Sequence, residues 1–402
     1  MRRNRFATPI LIALALCSPL RAAGDEFDRL ARELETGEAS APAGEAVGAG
    51  PTTPSAMNPE ISLVLDVAAA WFSSDENGQT GAHDPTTTGF NFQQLELAVR
   101  APVDPYFRFD AYLVFGLFGV ELEEAYGTTL ALPAGLQARF GQFLTRFGRI
   151  NAMHPHAWDF ADQPLAIGRV FGAEGSRGLG AELSWLLPLP WSVEWAVSAS
   201  GAAGEGTNRS FYGGDDLGVR GPADLLYITA LKQFFELSSD WSALWGLSGA
   251  FGPNSSGRAN RTEVYGTDFF LKYRPIRTAS TSEVRWQTEL VHRRRQVPDA
   301  VLTDVNAYSQ LAWRFARRWV SAGRYEYGSP VWDLDGRRAA DPLDPEWVDA
   351  RHRVAIALTH YPTEFSRLRL QTSSDLPGDA DPIWSAFLTA ELVVGAHGAH
   401  AF

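Results

Sequence analysis

Lysine is almost missing from this 402-residue chain: it occurs only as Lys232 and Lys272, so arginine supplies nearly all of the 35 basic residues. Cysteine occurs once, as Cys17, which leaves everything after it without a disulfide, a thiolate metal site or a cysteine nucleophile. Beyond the first residues there is no run of about 20 apolar side chains, and that excludes membrane-spanning helices. A formal charge of -12 argues against nucleic acid as a partner. Catalytic signatures are missing too. Glu174-Gly-Ser-Arg-Gly178 lacks the first glycine of a nucleophile elbow, and neither an H-E-x-x-H helix nor a phosphate-cradling loop occurs, so the chain reads as a non-enzyme.

What is present begins with Arg2, Arg3 and Arg5, an apolar stretch from Ala7 to Leu16, and small residues around Ala22 to Gly24. This order of charge, apolar core and cleavable site predicts an export signal over 1–23. Its removal takes away four arginines and no acid, which moves the formal charge from -12 to -16. Residues 24–58 form a separate periplasmic segment. Phe27, Leu30, Ala31 and Leu34 recur at helical spacing over 25–37, and an Ala/Gly/Pro/Ser/Thr-rich stretch follows as a flexible linker.

From residue 59 the texture changes to segments of about ten residues in which apolar and polar side chains alternate, the period of a strand with two unlike faces. In 281–293, Val284, Trp286 and Leu290 oppose Glu283, Arg285, Gln287 and Glu289; in 353–360, Val354, Ile356 and Leu358 oppose Arg353, Ala355 and Ala357. Sixteen such segments run from 60–72 to 383–396, with tight turns after the even-numbered ones and long polar loops after the first, fifth, seventh, ninth and thirteenth. An even strand number with that asymmetry predicts an all-β fold, a transmembrane antiparallel β-barrel over 59–402 in the outer membrane of a Gram-negative cell, surrounded by outer-membrane lipid. Trp71, Trp185, Trp191, Trp241, Trp319 and Trp384 fall near strand ends on the apolar parity, as interfacial girdles require. The last strand and terminal Phe402 resemble the signal read by the barrel-assembly machinery.

The run Phe140-Gly-Gln-Phe-Leu-Thr-Arg-Phe-Gly-Arg-Ile-Asn151 resembles the phosphate-selective porin O/P family, whose strand pattern G-x-F-x-x-P-F-G leads into the longest loop; here Arg146 stands at the proline. The stretch from His154-Pro-His-Ala-Trp-Asp-Phe160 to Pro190 is also similar to short outer-membrane proteins labelled zinc-regulated TonB-dependent receptors, although this chain has no room for a plug and a 22-strand barrel. The porin resemblance implies a homotrimeric channel with loop 147–177 folded into the lumen as a constriction. That loop carries His154, His156, Asp159, Asp162, Arg169, Glu174 and Arg177. Phosphate selectivity does not follow: the resemblance implies a ladder of lysines and arginines, whereas this chain has two lysines and, without 1–23, a formal charge of -16.

Parity divides the predicted lumen by charge. Asp66, Glu96, Asp110, Glu121 and Glu123 point inward from the first four strands, and Arg285, Arg314, Arg324, Arg353, Arg367 and Arg369 from strands 11 to 15. Such walls either set a transverse field across a wet channel or pair with neighbours and stiffen the wall. The sequence therefore predicts passive passage of small hydrophilic solutes or ions, with no resident cofactor. The alternative is an uptake barrel for divalent zinc or its chelate, with His154 and His156 as metal ligands and Asp159 nearby. His83, His292, His352 and His360 read as interface or surface residues.

Overall fold

The computed structural model describes residues 59–395 apart from 216, 258, 280, 346 and 379; the export signal, the 25–37 helix and the terminal phenylalanine lie outside the described residues. The strands are β1 (Glu60–Phe72), β2 (Gly89–Asp104), β3 (Phe107–Phe115), β4 (Val120–Thr129), β5 (Leu136–Leu144), β6 (Arg177–Leu186), β7 (Ser192–Gly201), β8 (Leu225–Ser238), β9 (Trp241–Pro253), β10 (Arg261–Tyr273), β11 (Glu283–Val297), β12 (Ala300–Ala316), β13 (Trp319–Gly328), β14 (Trp332–Asp333), β15 (Arg351–Thr363), β16 (Ser366–Pro377) and β17 (Ile383–Gly395). One α-helix, α1 (Leu165–Phe171), is present among the described residues. Each wall strand pairs antiparallel with the next, β13 with β15, and β17 returns to β1 from Ser62↔Gly395 to Phe72↔Ser385. The two-residue β14 merely clips a loop to β12, so the closed wall has sixteen strands, as the alternation implied.

The barrel is inside-out relative to a water-soluble core. On β16, Leu368 and Leu370 are exposed while Arg367, Arg369 and Gln371 are buried; on β17, Trp384, Leu388 and Leu392 face outward and Thr389 and Glu391 inward. Outward apolar side chains meet lipid, whereas inward polar ones find partners in the lumen, and closure leaves no wall edge without hydrogen bonds. Among the described residues no helix is long and apolar enough to cross a membrane; crossing by strands is a separate matter.

Connections follow the predicted asymmetry in part: the nine-residue 274–282 at the turn end and the two-residue 298–299 at the loop end depart from it. At one end, two-residue turns join β2 to β3, β8 to β9, β12 to β13 and β15 to β16. The first is fixed by Asp104, whose Oδ1 accepts the amides of Tyr106 (2.7 Å) and Phe107 (2.9 Å). At the other end lie the long loops 73–88, 145–176, 202–224 and 329–350. Trp185, Trp191, Trp241 and Trp319 mark the turn end, and Trp71 and Trp384 the loop end. Trp195, Trp245 and Trp286 sit between those bands, exposed on the outer wall, and each donates its indole N–H to a hydroxyl of the next strand: Thr229 (2.9 Å), Thr267 (3.1 Å) and Ser309 (2.9 Å).

Candidate functional site: the loop across the lumen

The loop between β5 and β6 leaves the wall at Leu144 and rejoins it at Arg177. Its base is closed by the Thr145 amide donating to Ser176 (2.9 Å) and by Asn151, which donates to Thr145 and Ser176 and accepts the Ser176 amide at 2.7 Å. Gly148 stands at φ +61, a left-handed bend that glycine tolerates, and Lys232 of β8 donates to its carbonyl at 2.5 Å. The amide of Ile150 donates to Glu289 of β11 at 2.8 Å. Helix α1 is buried throughout; Glu326 of β13 accepts its Leu165 amide (2.6 Å), and Gly172, at φ +98, ends it. Phe147, Ile150, Ile167, Val170 and Phe171 pack with Phe211, Leu226 and Val264 in one apolar cluster, which anchors the loop under the 202–224 segment.

Between these anchors the loop touches both sides of the lumen. His154 meets the carboxylates of β2 and β4: its Nδ1 lies 3.3 Å from Glu96 and 3.2 Å from Glu123, and its Nε2 3.0 Å from Glu124. His156 Nδ1 lies 3.4 Å from Glu96. Asp159 pairs with Arg285 (2.6 Å) on the far wall, away from the histidines beside it in sequence. The carbonyl of Trp158 accepts from Arg367 (3.1 Å) and Arg369 (2.7 Å). Asp162, fully buried, accepts from Arg324 (2.7 Å) and Gln371 (2.6 Å), with Arg353 at 3.4 Å. Arg169 on α1 donates to Asp344 (3.2 Å), to Asn306 (3.0 Å) and to the Ser329 carbonyl (2.7 Å). Arg177 pairs with Glu121, while Glu174 pairs with His83 at 3.7 Å.

Other inward residues pair within the wall. Asp110 takes Arg100 and Arg108, both at 2.8 Å, Arg367 pairs with Glu391, and Asp66 is buried on β1. Four cations, Arg285, Lys272, Arg314 and Arg274, surround Glu283 near the turn end. The acidic and arginine walls are thus each studded with opposite charge. Glu283, Glu326, Asp375 and Glu391 share the inward parity of the arginines and were readable from alternation.

Glu124 was not readable in that way. Tyr112 pairs with Glu124 and Leu113 with Leu122, so Glu123 is an extra residue, a β-bulge that turns two consecutive glutamates inward. Nor does alternation hold at His154 and His156. A 3-10 turn at Pro155–Ala157 replaces extended chain and stacks the two rings 5.7 Å apart on one side. His83 also departs from its surface reading: it is largely buried, and although burial opposes its charge, Glu174 outweighs that and pushes it up to about 9.

Asp84 joins the 73–88 loop to the crossing loop, accepting the amides of Gly81 (2.7 Å) and Gln163 (2.8 Å). Burial, followed by the charge of Asp162, pushes its carboxyl up to about 6. For Asp162 burial also opposes ionisation, but Arg324 and Arg353 outweigh it and hold the group below the usual carboxylate range. A raised acid favours the fold below its unfolded value of about 3.9, and that contribution is lost as pH climbs through about 6. The loop pair should therefore loosen between these values. Limited proteolysis of folded protein should show loop cleavage accelerating as pH rises to neutral, with Asp84→Asn removing most of the slope. A wild-type slope of opposite sign would count against this assignment.

No family model matches the sequence. An uncharacterized protein of Aquifex aeolicus (strain VF5) is 30% identical over 396 residues, covering 88% of this chain and 81% of that protein. The outer membrane channel DcaP of Acinetobacter baumannii has a similar structure at TM-score 0.55 and 13% identity, covering 86% of this chain and 100% of that one. OprB of Pseudomonas putida gives 0.56 at 10% identity over 85% and 95% of the two chains. The trimer form of OmpT, an outer membrane protein of Vibrio cholerae, gives 0.53 at 8% identity over 84% and 99%. At these identities the likeness is one of fold, that of an outer-membrane β-barrel.

Proposed function

We propose that this chain, which belongs to one family with the Aquifex aeolicus protein and folds as an outer-membrane barrel, is a porin-like channel for passive diffusion of small hydrophilic solutes or ions. The observation that carries the reading is the 145–176 loop, tied to opposite walls of a charge-lined lumen by His154 on one side and by Asp159 and Asp162 on the other. The apolar cluster anchors the loop on one side, and the paired charges on the rest of it narrow the aqueous path, so passage is set by width and charge. Planar-bilayer recording of refolded protein tests the reading. Discrete conductance steps are the expected result, and a correctly folded barrel that conducts nothing would overturn it.

The ring of Lys272, Arg274, Arg285 and Arg314 about Glu283 supports anion preference. Reversal potentials across a salt gradient should carry the anion sign, and Lys272→Gln/Arg274→Gln should move them toward zero, most visibly at low ionic strength. A cation-selective wild type would reject this selectivity while leaving the channel in place. Trimer assembly is part of the same proposal; the trimer form of the Vibrio barrel is the support for it. The alternative of metal uptake rests on the histidine side of the loop.

A further inference from the structure

We propose that Glu96, Glu123 and His154 form a binding site for one divalent transition cation of the zinc class, holding the crossing loop to the acidic wall. Their donor atoms all lie within 4.8 Å of one another, and the two distances from His154 Nδ1 are 3.3 Å to Glu96 and 3.2 Å to Glu123. A tetrahedral ion with bonds of about 2.0 Å separates its ligands by about 3.3 Å, so His154 Nδ1 already stands at that spacing from both carboxylates. Imidazole with carboxylate is the donor set that this class of ion prefers.

Two further features point to a cation between these groups. Although His154 Nδ1 and His156 Nδ1 lie within 3.4 Å of these carboxylates, both oxygens of Glu96, the Oε2 of Glu123 and the Nδ1 of His154 are buried with no well-directed hydrogen bond, and the two glutamates are at least nine-tenths buried. The other face of the ring is already committed, since Nε2 lies 3.0 Å from Glu124. With its N–H on Nε2, the imidazole turns its Nδ1 lone pair toward two carboxylates, an arrangement that is repulsive until a cation intervenes. A proton on Nδ1 can serve only one carboxylate at a time; a divalent ion serves all three donors. The ring is held in place by Tyr112, stacked on it at 4.4 Å.

Three protein ligands leave a coordination position for water or an exchangeable ligand, the pattern of a working site rather than of a closed structural one. The site is composite. Glu96 belongs to β2, Glu123 to the bulge of β4 and His154 to the loop, so a bound ion cross-links the loop to the wall. This stands on the fold and does not depend on conduction.

The test uses refolded full-length protein and Co²⁺ as the probe, with stoichiometry from equilibrium dialysis and geometry from visible absorption. One ion per chain is expected, with the d–d bands of a low-coordinate nitrogen–oxygen site, displaced by Zn²⁺. Glu96→Gln and Glu123→Gln should abolish it. Glu124→Gln, which loosens only the orientation of the ring, should weaken it by about tenfold or more. Glu182→Gln, an inward carboxylate on β6, should bind as wild type. Absence of stoichiometric binding by wild type, or binding that survives Glu96→Gln/Glu123→Gln, overturns the site. The wild-type measurement needs no variant, so a substitution that prevents folding does not shelter the proposal.

Discussion

Deleting residues 152–170 should raise single-channel conductance severalfold and flatten its dependence on ion size. The cut removes His154, Asp159, Asp162 and Arg169, and with them the ties from the loop to both walls. It spares Asn151 and Ser176, whose hydrogen bonds close the base of the loop, so the join falls within a braced neck. The wall is not left with dry charges. Once the loop is gone, Arg285, Arg324, Arg353, Arg367 and Arg369 meet water, and Arg324, Arg353 and Arg367 keep Glu326, Asp375 and Glu391 as partners. An unchanged conductance from a correctly folded deletion would place the rate-limiting width elsewhere.

The second large effect is Asp162→Ala, expected to cost about 3–5 kcal/mol of loop or barrel stability, the usual penalty for removing one partner of a buried charge pair. Arg324, Arg353 and Gln371 converge on this carboxylate beneath the loop, where water does not replace it. Deletion and point substitution remove the same carboxylate, yet the smaller change should be the more damaging, because the arginines then remain covered. Thermal denaturation in detergent, followed by the mobility shift of the folded barrel on gels, measures the loss. Noisy, flickering current is the expected companion in bilayers, as a loop freed from one wall samples more positions. Asp162→Ala as stable as wild type, with steady conductance, would show that Asp162 is not what pins the loop.

Much of the architecture was legible because a lipid-facing wall obeys a strict period of two. The alternation of Leu368 and Leu370 with Arg367 and Arg369 specifies both strand and orientation, and the tight turn after β2 is written in Asp104 and Pro105. The inner surface was legible by the same parity, including Glu326 and Asp375, which pair with the arginines. Legibility failed where that period breaks. The bulge at Glu123 brings Glu124 inward, and the short turn at Pro155–Ala157 sets His154 and His156 side by side. Long-range partners were hidden for a different reason. Asp344 meets Arg169, 175 positions away, and Arg293 of β11, 51 positions away, because two loops fold together at one barrel mouth, and no local spacing connects such positions.

The seam between β1 and β17 governs how the molecule can be made. The first wall strand pairs with the last, Ser62↔Gly395 through Phe72↔Ser385, so the cylinder has no completed cross-section until the final strand has left the ribosome and reached its destination. Every shorter chain carries two unpaired edges whose amides and carbonyls lipid cannot satisfy. Such a polypeptide must travel unfolded and be shielded from its own kind. The commitment to a closed wall comes with β17, and a stop codon ahead of it would spoil the entire cylinder, including strands whose sequence it left untouched.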